Sequence, residues 1–238
     1  MRRLLCKGLL LVALGGCGER EEGVQLHLRL DLRPEREAST ASTARQFTTP
    51  QGARITLNRA AFTLSSVEIF PCETSSAWRW PRWLSLVATA EAHELGSPRL
   101  LGVPHVSGLE LPDGQALELG TLHPPPGSYC RARLIFAPAD EDAEGLSTQQ
   151  DMEGRTLLLE GESAPASGQP ARPFHLETPT LINAEVRLEG LSLTPDALEA
   201  SRTIHLAYDR WLDGVDPTSE GAAEQVLRNV AASVTLAP

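Results

Sequence analysis

Lysine is all but missing from this chain of 238 residues: Lys7 is the only one. Every basic residue beyond it is an arginine. Acids outnumber bases, 31 Asp and Glu against 21 Lys and Arg, so a polyanion is repelled and nucleic acid is excluded as an expected partner. Aromatic residues make up only 5%, beside 19 Gly and 18 Pro. That balance suits short strands joined by many turns. No G-x-S-x-G, H-E-x-x-H, P-loop, dinucleotide fingerprint or C-x-x-C occurs, so no local motif assigns an enzymatic reaction. An enzyme of unassigned chemistry stays open as an alternative, because triads assemble from distant positions.

Long apolar runs are missing too. The N-terminal one, Gly8 to Leu14, is too short to span a bilayer, which takes about 20 residues. It follows Arg2, Arg3 and Lys7 and precedes Gly15-Gly16-Cys17. A basic region, an apolar stretch and small residues in that order predict a signal peptide over 1–16. Leu14-Gly15-Gly16-Cys17 matches the bacterial lipobox, in which the cysteine is acylated by palmitate-type chains and becomes the new N-terminus. Several acyl chains anchor a protein stably where one does not. The expectation is a lipoprotein held to a membrane through Cys17, with 17–22 as a charged tether. By resemblance to the sorting rule of Gram-negative lipoproteins, Gly18 rather than Asp after the acylated cysteine favours the outer membrane over the inner one. Cleavage leaves 222 residues, in which 18 arginines face 31 acids for a formal charge of −13.

Two of the four cysteines are then accounted for, since Cys6 leaves with the signal and Cys17 takes lipid. Cys72 and Cys130 remain, an even pair in an oxidising compartment, and a disulfide is predicted between them. Strand parity agrees: Cys130 shares a face with Ala132, Leu134 and Phe136, and Cys72 shares parity with Phe62, Leu64 and Phe70, so both point toward apolar sets. A paired metal–thiolate site is the weaker alternative for two cysteines so far apart.

Alternation organises the rest. Val24, Leu26, Leu28 and Leu30 alternate with polar neighbours and predict a half-buried strand. Residues 33–50 are polar and read as a long exposed loop. In 53–72 the apolar parity slips, from Ile55 and Leu57 to Phe62 and Leu64 and then to Val67 and Ile69; two strands or one bulged strand would explain it. Further strands are predicted at 84–89, around 117–119, at 128–137, 156–160, 181–188 and 203–208. Thr194-Pro195 predicts a short helix to about Ala200. After Asp216-Pro217, a C-terminal amphipathic helix carries Ala223, Val226, Leu227 and Val230 on one face. The sum is a mostly β chain: one antiparallel β-sandwich of about 8–10 short strands over 23–238, with that helix at its end.

Candidate ligand residues are few. His93, His105 and His123 lie outside the predicted strands, and neutral imidazole is the common ligand for copper and zinc outside the cytosol. Their spacing matches no ligand motif. The run Asp140-Glu141-Asp142-Ala143-Glu144 offers carboxylates for calcium but lacks the order of a calcium loop, and a solvated loop is the simpler reading. Trp78, Trp80 and Trp83 suit either a sugar- or partner-binding platform or a cover for one end of the sandwich.

The block Phe47 to Cys72, with Leu101-Gly102-Val103-Pro104-His105, Leu119-Gly120, Pro126-Gly127-Ser128-Tyr129-Cys130 and Pro138-Ala139-Asp140, resembles a family of uncharacterised exported proteobacterial lipoproteins over roughly 45–160. More distantly, its order of strand, cysteine, Leu-Gly and Pro-Gly-x-Tyr is similar to the methanobactin-associated (MbnP-like) periplasmic copper proteins and to prealbumin-like domains. The resemblance implies a β-sandwich and histidine-based copper binding through His93 and His105. Two functions are thus expected in order: a non-catalytic envelope lipoprotein that binds an envelope protein or matrix partner, and a periplasmic copper- or zinc-binding lipoprotein using the loop histidines.

Overall fold

A computed structural model of the chain describes residues 24–41, 44–72, 97–194, 196 and 198–237. The longest alternating segment organises the molecule. It forms a single strand, β4 (Arg54–Pro71), preceded by β1 (Gln25–Leu32), β2 (Ala38–Ala41) and β3 (Ala44–Thr48). The strands that follow are β5 (Leu100–Leu101), β6 (His105–Gly108), β7 (Leu117–Leu122), β8 (Gly127–Phe136), β9 (Leu157–Ala164), β10 (Arg172–Thr178), β11 (Ile182–Leu193) and β12 (Glu199–Leu206). Helix α1 (Ala222–Ala232) and β13 (Val234–Ala237) close the chain.

One edge of β4 pairs first with β9 and then with β8, the other with β3, β6 and β5. Its register shifts between Leu57 and Arg59 against β9, and between Leu64 and Ser66 against β8. These are the two places where the apolar parity slips, so β4 is the bulged strand and not a pair of strands. Each bulge returns the next apolar set, Ala60, Phe62 and Leu64 and then Val67 and Ile69, to the same buried face.

The second sheet runs β13-β12-β1-β7 and stacks its inner leucines, Leu26, Leu28, Leu30 and Leu32, on that face. The two layers form the expected β-sandwich, with one departure: β1 and β12 are parallel, so the smaller sheet is mixed. At the core's centre Phe62 meets Phe136 and Trp211 edge-on, at 6.0 and 5.9 Å between ring centroids. Helix α1 buries Ala222, Val226, Leu227 and Val230 against this core. It begins after Gly221 rather than at Pro217; Asp216 instead accepts from the Thr218 N–H and hydroxyl in a turn before the helix.

Three expectations need correction. The segment 33–50 is no long loop, since β2 and β3 form a hairpin there and Phe47 enters the core. No helix reaches Ala200, because β12 already begins at Glu199 and pairs with β1; the partner strand overrides the capping signal. Residues 138–156 form a packed excursion with two 3₁₀ turns, Leu146–Thr148 and Gln150–Met152. They cover the opposite face of β4 with a second small core of Ala61, Val106, Ala139, Ala143, Leu146, Met152 and Leu158. Only the charged residues of the acidic run stay exposed, while Ala143 is buried. Gly145 is required here: its φ is +83°, and a Cβ would strike the Val106 carbonyl.

Cys72 and Cys130 form a disulfide, with Cα atoms 4.8 Å apart. It does not face the core as parity implied. The register slips again between Phe70 and Pro71, opposite Arg131 and Tyr129, which buries Tyr129 and leaves Cys130 exposed. The bridge therefore sits at one end of the sandwich. The start of β1 lies at that same end, because Leu26 pairs with Leu122 just before the Pro-rich turn. At the far end Leu32 accepts from the Gly114 N–H. Closing 58 residues is worth about 4 kcal/mol in the chain-entropy model, which acts on the unfolded chain, while in the folded state the β4–β8 ladder holds these ends together without it. The double substitution Cys72→Ser with Cys130→Ser is therefore expected to cost about 2–4 kcal/mol in chemical denaturation and to leave the far-ultraviolet β signature intact.

Candidate functional site

The edge of β4 changes partner at its middle. β3 pairs as far as Leu57, and β6 begins at Ala61. Over the gap at 58–60 opens a groove of about 620 Å³, walled by the chain after β6 and by the 138–156 excursion. Sequence distance is no guide to its members, for they come from 45, 58–60, 109–113 and 148–149.

Its charges are built one by one. Arg45 lies on β3 with its side chain buried, and Nε donates to Asp113 Oδ1 at 2.8 Å. Its Nη2 donates to the Leu111 carbonyl at 3.1 Å and more weakly to that of Leu109 at 3.4 Å. The Pro112-Asp113-Gly114 turn thus carries the counter-ion of a buried arginine. The other Asp113 oxygen accepts from the Tyr208 hydroxyl at 2.9 Å. Burial raises the Tyr208 pKa well above the ordinary range, and the hydrogen bond to Asp113 adds to the rise. Arg59 grips both oxygens of Asp151, and that hydrogen-bonded guanidinium lowers the Asp151 carboxyl.

Glu110 differs. Residue Gly108 leaves room for it, since a Cβ there would lie 2.8 Å from Glu110 Oε2 and would collide with the Ala60 carbonyl. Gln149 Nε2 donates to Glu110 Oε1 at 2.6 Å. No arginine or histidine lies within ion-pair distance of Glu110 among the described residues. The residue as a whole is exposed, but partial desolvation raises its pKa against the backbone hydrogen bonds, the nearby Arg59 charge and the Gln149 amide, all of which oppose the shift.

The residues singled out in the sequence lie elsewhere. Cys17, His93 and the three tryptophans Trp78, Trp80 and Trp83 fall outside the described residues. His105 is buried on β6, with Nδ1 2.8 Å from the Val103 carbonyl, which fixes the proton on that nitrogen. Its Nε2 is 3.1 Å from a Glu144 oxygen but lacks hydrogen-bond alignment. This contact ties the excursion to β6, where the backbone also bridges His105 and Glu144. His123 is exposed after β7, in the other sheet. Among the described residues no group of three or more His, Cys, Asp or Glu is placed to hold a metal ion, so His105 and His123 are not brought into a copper or zinc site with other described donors. His205, expected as an ordinary strand residue, pairs through Nδ1 with Asp31 on the neighbouring strand. Asp209 is fully buried and accepts from the Glu35 and Arg36 N–H groups at 2.9 and 3.0 Å. It pins the chain after β1 to the turn after β12.

No family model, curated protein or solved structure matches this chain.

A carboxylate that loses part of its solvation on folding costs stability when ionised, and the Arg59 charge nearby offsets only part of that cost. With its folded pKa raised, Glu110 favours the fold most when protonated, and that contribution is lost as pH rises through the raised value. Glu110→Gln keeps a carbonyl for Gln149 and removes the charge. It is expected to raise the unfolding midpoint at neutral pH, with the gain shrinking as the carboxyl protonates in acid. A midpoint lowered equally at all pH values would contradict this account.

Proposed function

We propose that this chain is a lipid-anchored protein of the bacterial cell envelope, acylated at Cys17 and held at the outer membrane, whose sandwich serves as a binding module. The observation that carries the reading is the Cys72–Cys130 disulfide, since such bridges persist in oxidising compartments and are rare in the cytosol. It agrees with the Leu14 to Cys17 pattern. The groove supports binding over catalysis by its chemistry: two arginines neutralised by carboxylates, and amide groups from Asn58 and Gln149 beside apolar Ala60, Leu109 and Pro112. Thr148, the hydroxyl on the groove wall, donates to the Gly145 carbonyl and has no neighbouring base to activate it among its hydrogen-bond partners. If the tether enters at Gln25, the Asp113 side of the groove lies at the other end of β1, beyond Leu32, which agrees with a groove held away from the membrane.

Expression with labelled palmitate is expected to mark the wild type and not Cys17→Ala, and only the wild type is expected to sediment with outer membranes. Native protein retaining Met1, or free thiols at positions 72 and 130, would overturn the assignment.

A further inference from the structure

The charges that line the groove already have company. Arg45 is held by Asp113 and two carbonyls, and Arg59 by Asp151. Glu110 lies against Gln149, the N–H groups of Gly108 and of its own backbone, and the Arg59 charge. An ionic ligand would have to break one of these arrangements and strand its partner. The walls offer little apolar surface either, since Ala60 and Leu109 are buried in the core. Neutral hydrogen-bonding capacity is what the groove leaves open. Asn58 is the extra residue of the first bulge: it pairs with neither β9 nor β3, and β6 begins only at Ala61. A bulge re-aims a side chain, and the exposed Asn58 amide has no partner among the described residues. Gln149 is 8% exposed; its Nε2 donates to Glu110, while its Oε1 accepts from no described group and is not sealed from the groove. The Thr148 hydroxyl donates to the Gly145 carbonyl and keeps its lone pairs.

We infer that the groove binds a neutral saccharide, whose hydroxyls meet the amides of Asn58 and Gln149. This deepens the binding reading proposed above and rests on it. An Asn amide offers two donors and an acceptor oxygen, and Gln149 adds a lone acceptor. A hydroxyl both donates and accepts, so adjacent hydroxyls on a sugar ring answer this mixture without bringing charge. The groove volume of about 620 Å³ lies within the range of small-ligand sites. A site built to hydrogen-bond hydroxyls rejects ligands that leave its polar groups unpaired. The same chemistry is carried by a free oligosaccharide and by an uncharged polysaccharide of the envelope.

The test is calorimetric titration of the detergent-purified full chain with four trisaccharides of similar size: neutral maltotriose and N-acetylchitotriose, the cationic chitosan trimer and the anionic trigalacturonate. One or both neutral trimers are expected to bind and the charged ones not to. Asn58→Ala is expected to weaken that binding about threefold to tenfold, the worth of a neutral hydrogen bond. Asn58→Trp, at the same exposed position, is expected to abolish it by filling the groove. Asn183→Ala, the same loss of an amide on the exposed face of β11, is expected to leave it unchanged. Retention on amylose or chitin beads, released by the matching trimer, identifies a polysaccharide source; a bound trimer without retention on its beads identifies a free oligosaccharide. A charged trimer that binds more tightly than the neutral ones and is lost in Asn58→Trp would discard the neutral saccharide and keep the groove as the binding site. Neutral binding untouched by both Asn58 variants would place the site elsewhere and overturn both readings. Silence of all four trimers and of both beads would overturn the inference.

Discussion

β4 has to serve two cores at once. Over eighteen residues it supplies the main sandwich from one face and the smaller core under the 138–156 excursion from the other, and it bonds to five strands along its two edges. A regular strand with an uninterrupted two-residue repeat would send Ile55 and Phe62 to opposite sides. The bulges after Leu57 and Leu64 prevent this. They also bend the strand, and between them its open edge passes from β3 to β6. The groove occupies that handover, so the device that keeps the core continuous also creates the concavity.

Buried charge then fixes the pieces that strand pairing leaves loose. Arg45, Asp113 and Tyr208 join β3, the turn before β7 and the turn after β12 in one hydrogen-bonded set. Asp209 with Arg36 does the same for the start of the β2–β3 hairpin. Removing one partner of such a set leaves the other buried and unpaired, which costs far more than the intact pair contributes. These sets therefore specify how the segments meet more than they add to net stability.

The sandwich, most of its strands and the disulfide were legible in the sequence because they depend on local alternation and on cysteine count. The parity slips in 53–72 announced the bulges themselves. Legibility failed where long-range partners decided the outcome. The polar residues of the β2–β3 hairpin read as a loop because, among its described residues, the buried Phe47 and Arg45 stand among exposed polar neighbours, and a buried arginine looks like a surface one until its carboxylate is known. Thr194-Pro195 carried a sound helix signal, but pairing with β1 claimed Glu199 and Ala200. The apolar residues of the excursion, Ala139, Ala143, Leu146 and Met152, follow neither a two-residue nor a helical repeat. The groove was not legible, because its lining comes from residues as distant in sequence as Arg45, Asn58, Glu110 and Gln149.

The placement of the two ends along β1 has a consequence for encounter rates. Residues 18–24, fully drawn out, reach at most about 25 Å, and a strand of eight residues adds about as much again. An anchored copy would therefore sweep its groove through a thin shell above the bilayer instead of through the whole compartment. Any ligand fixed in that same layer would be met at a high effective concentration, so that even a weak intrinsic affinity would hold it.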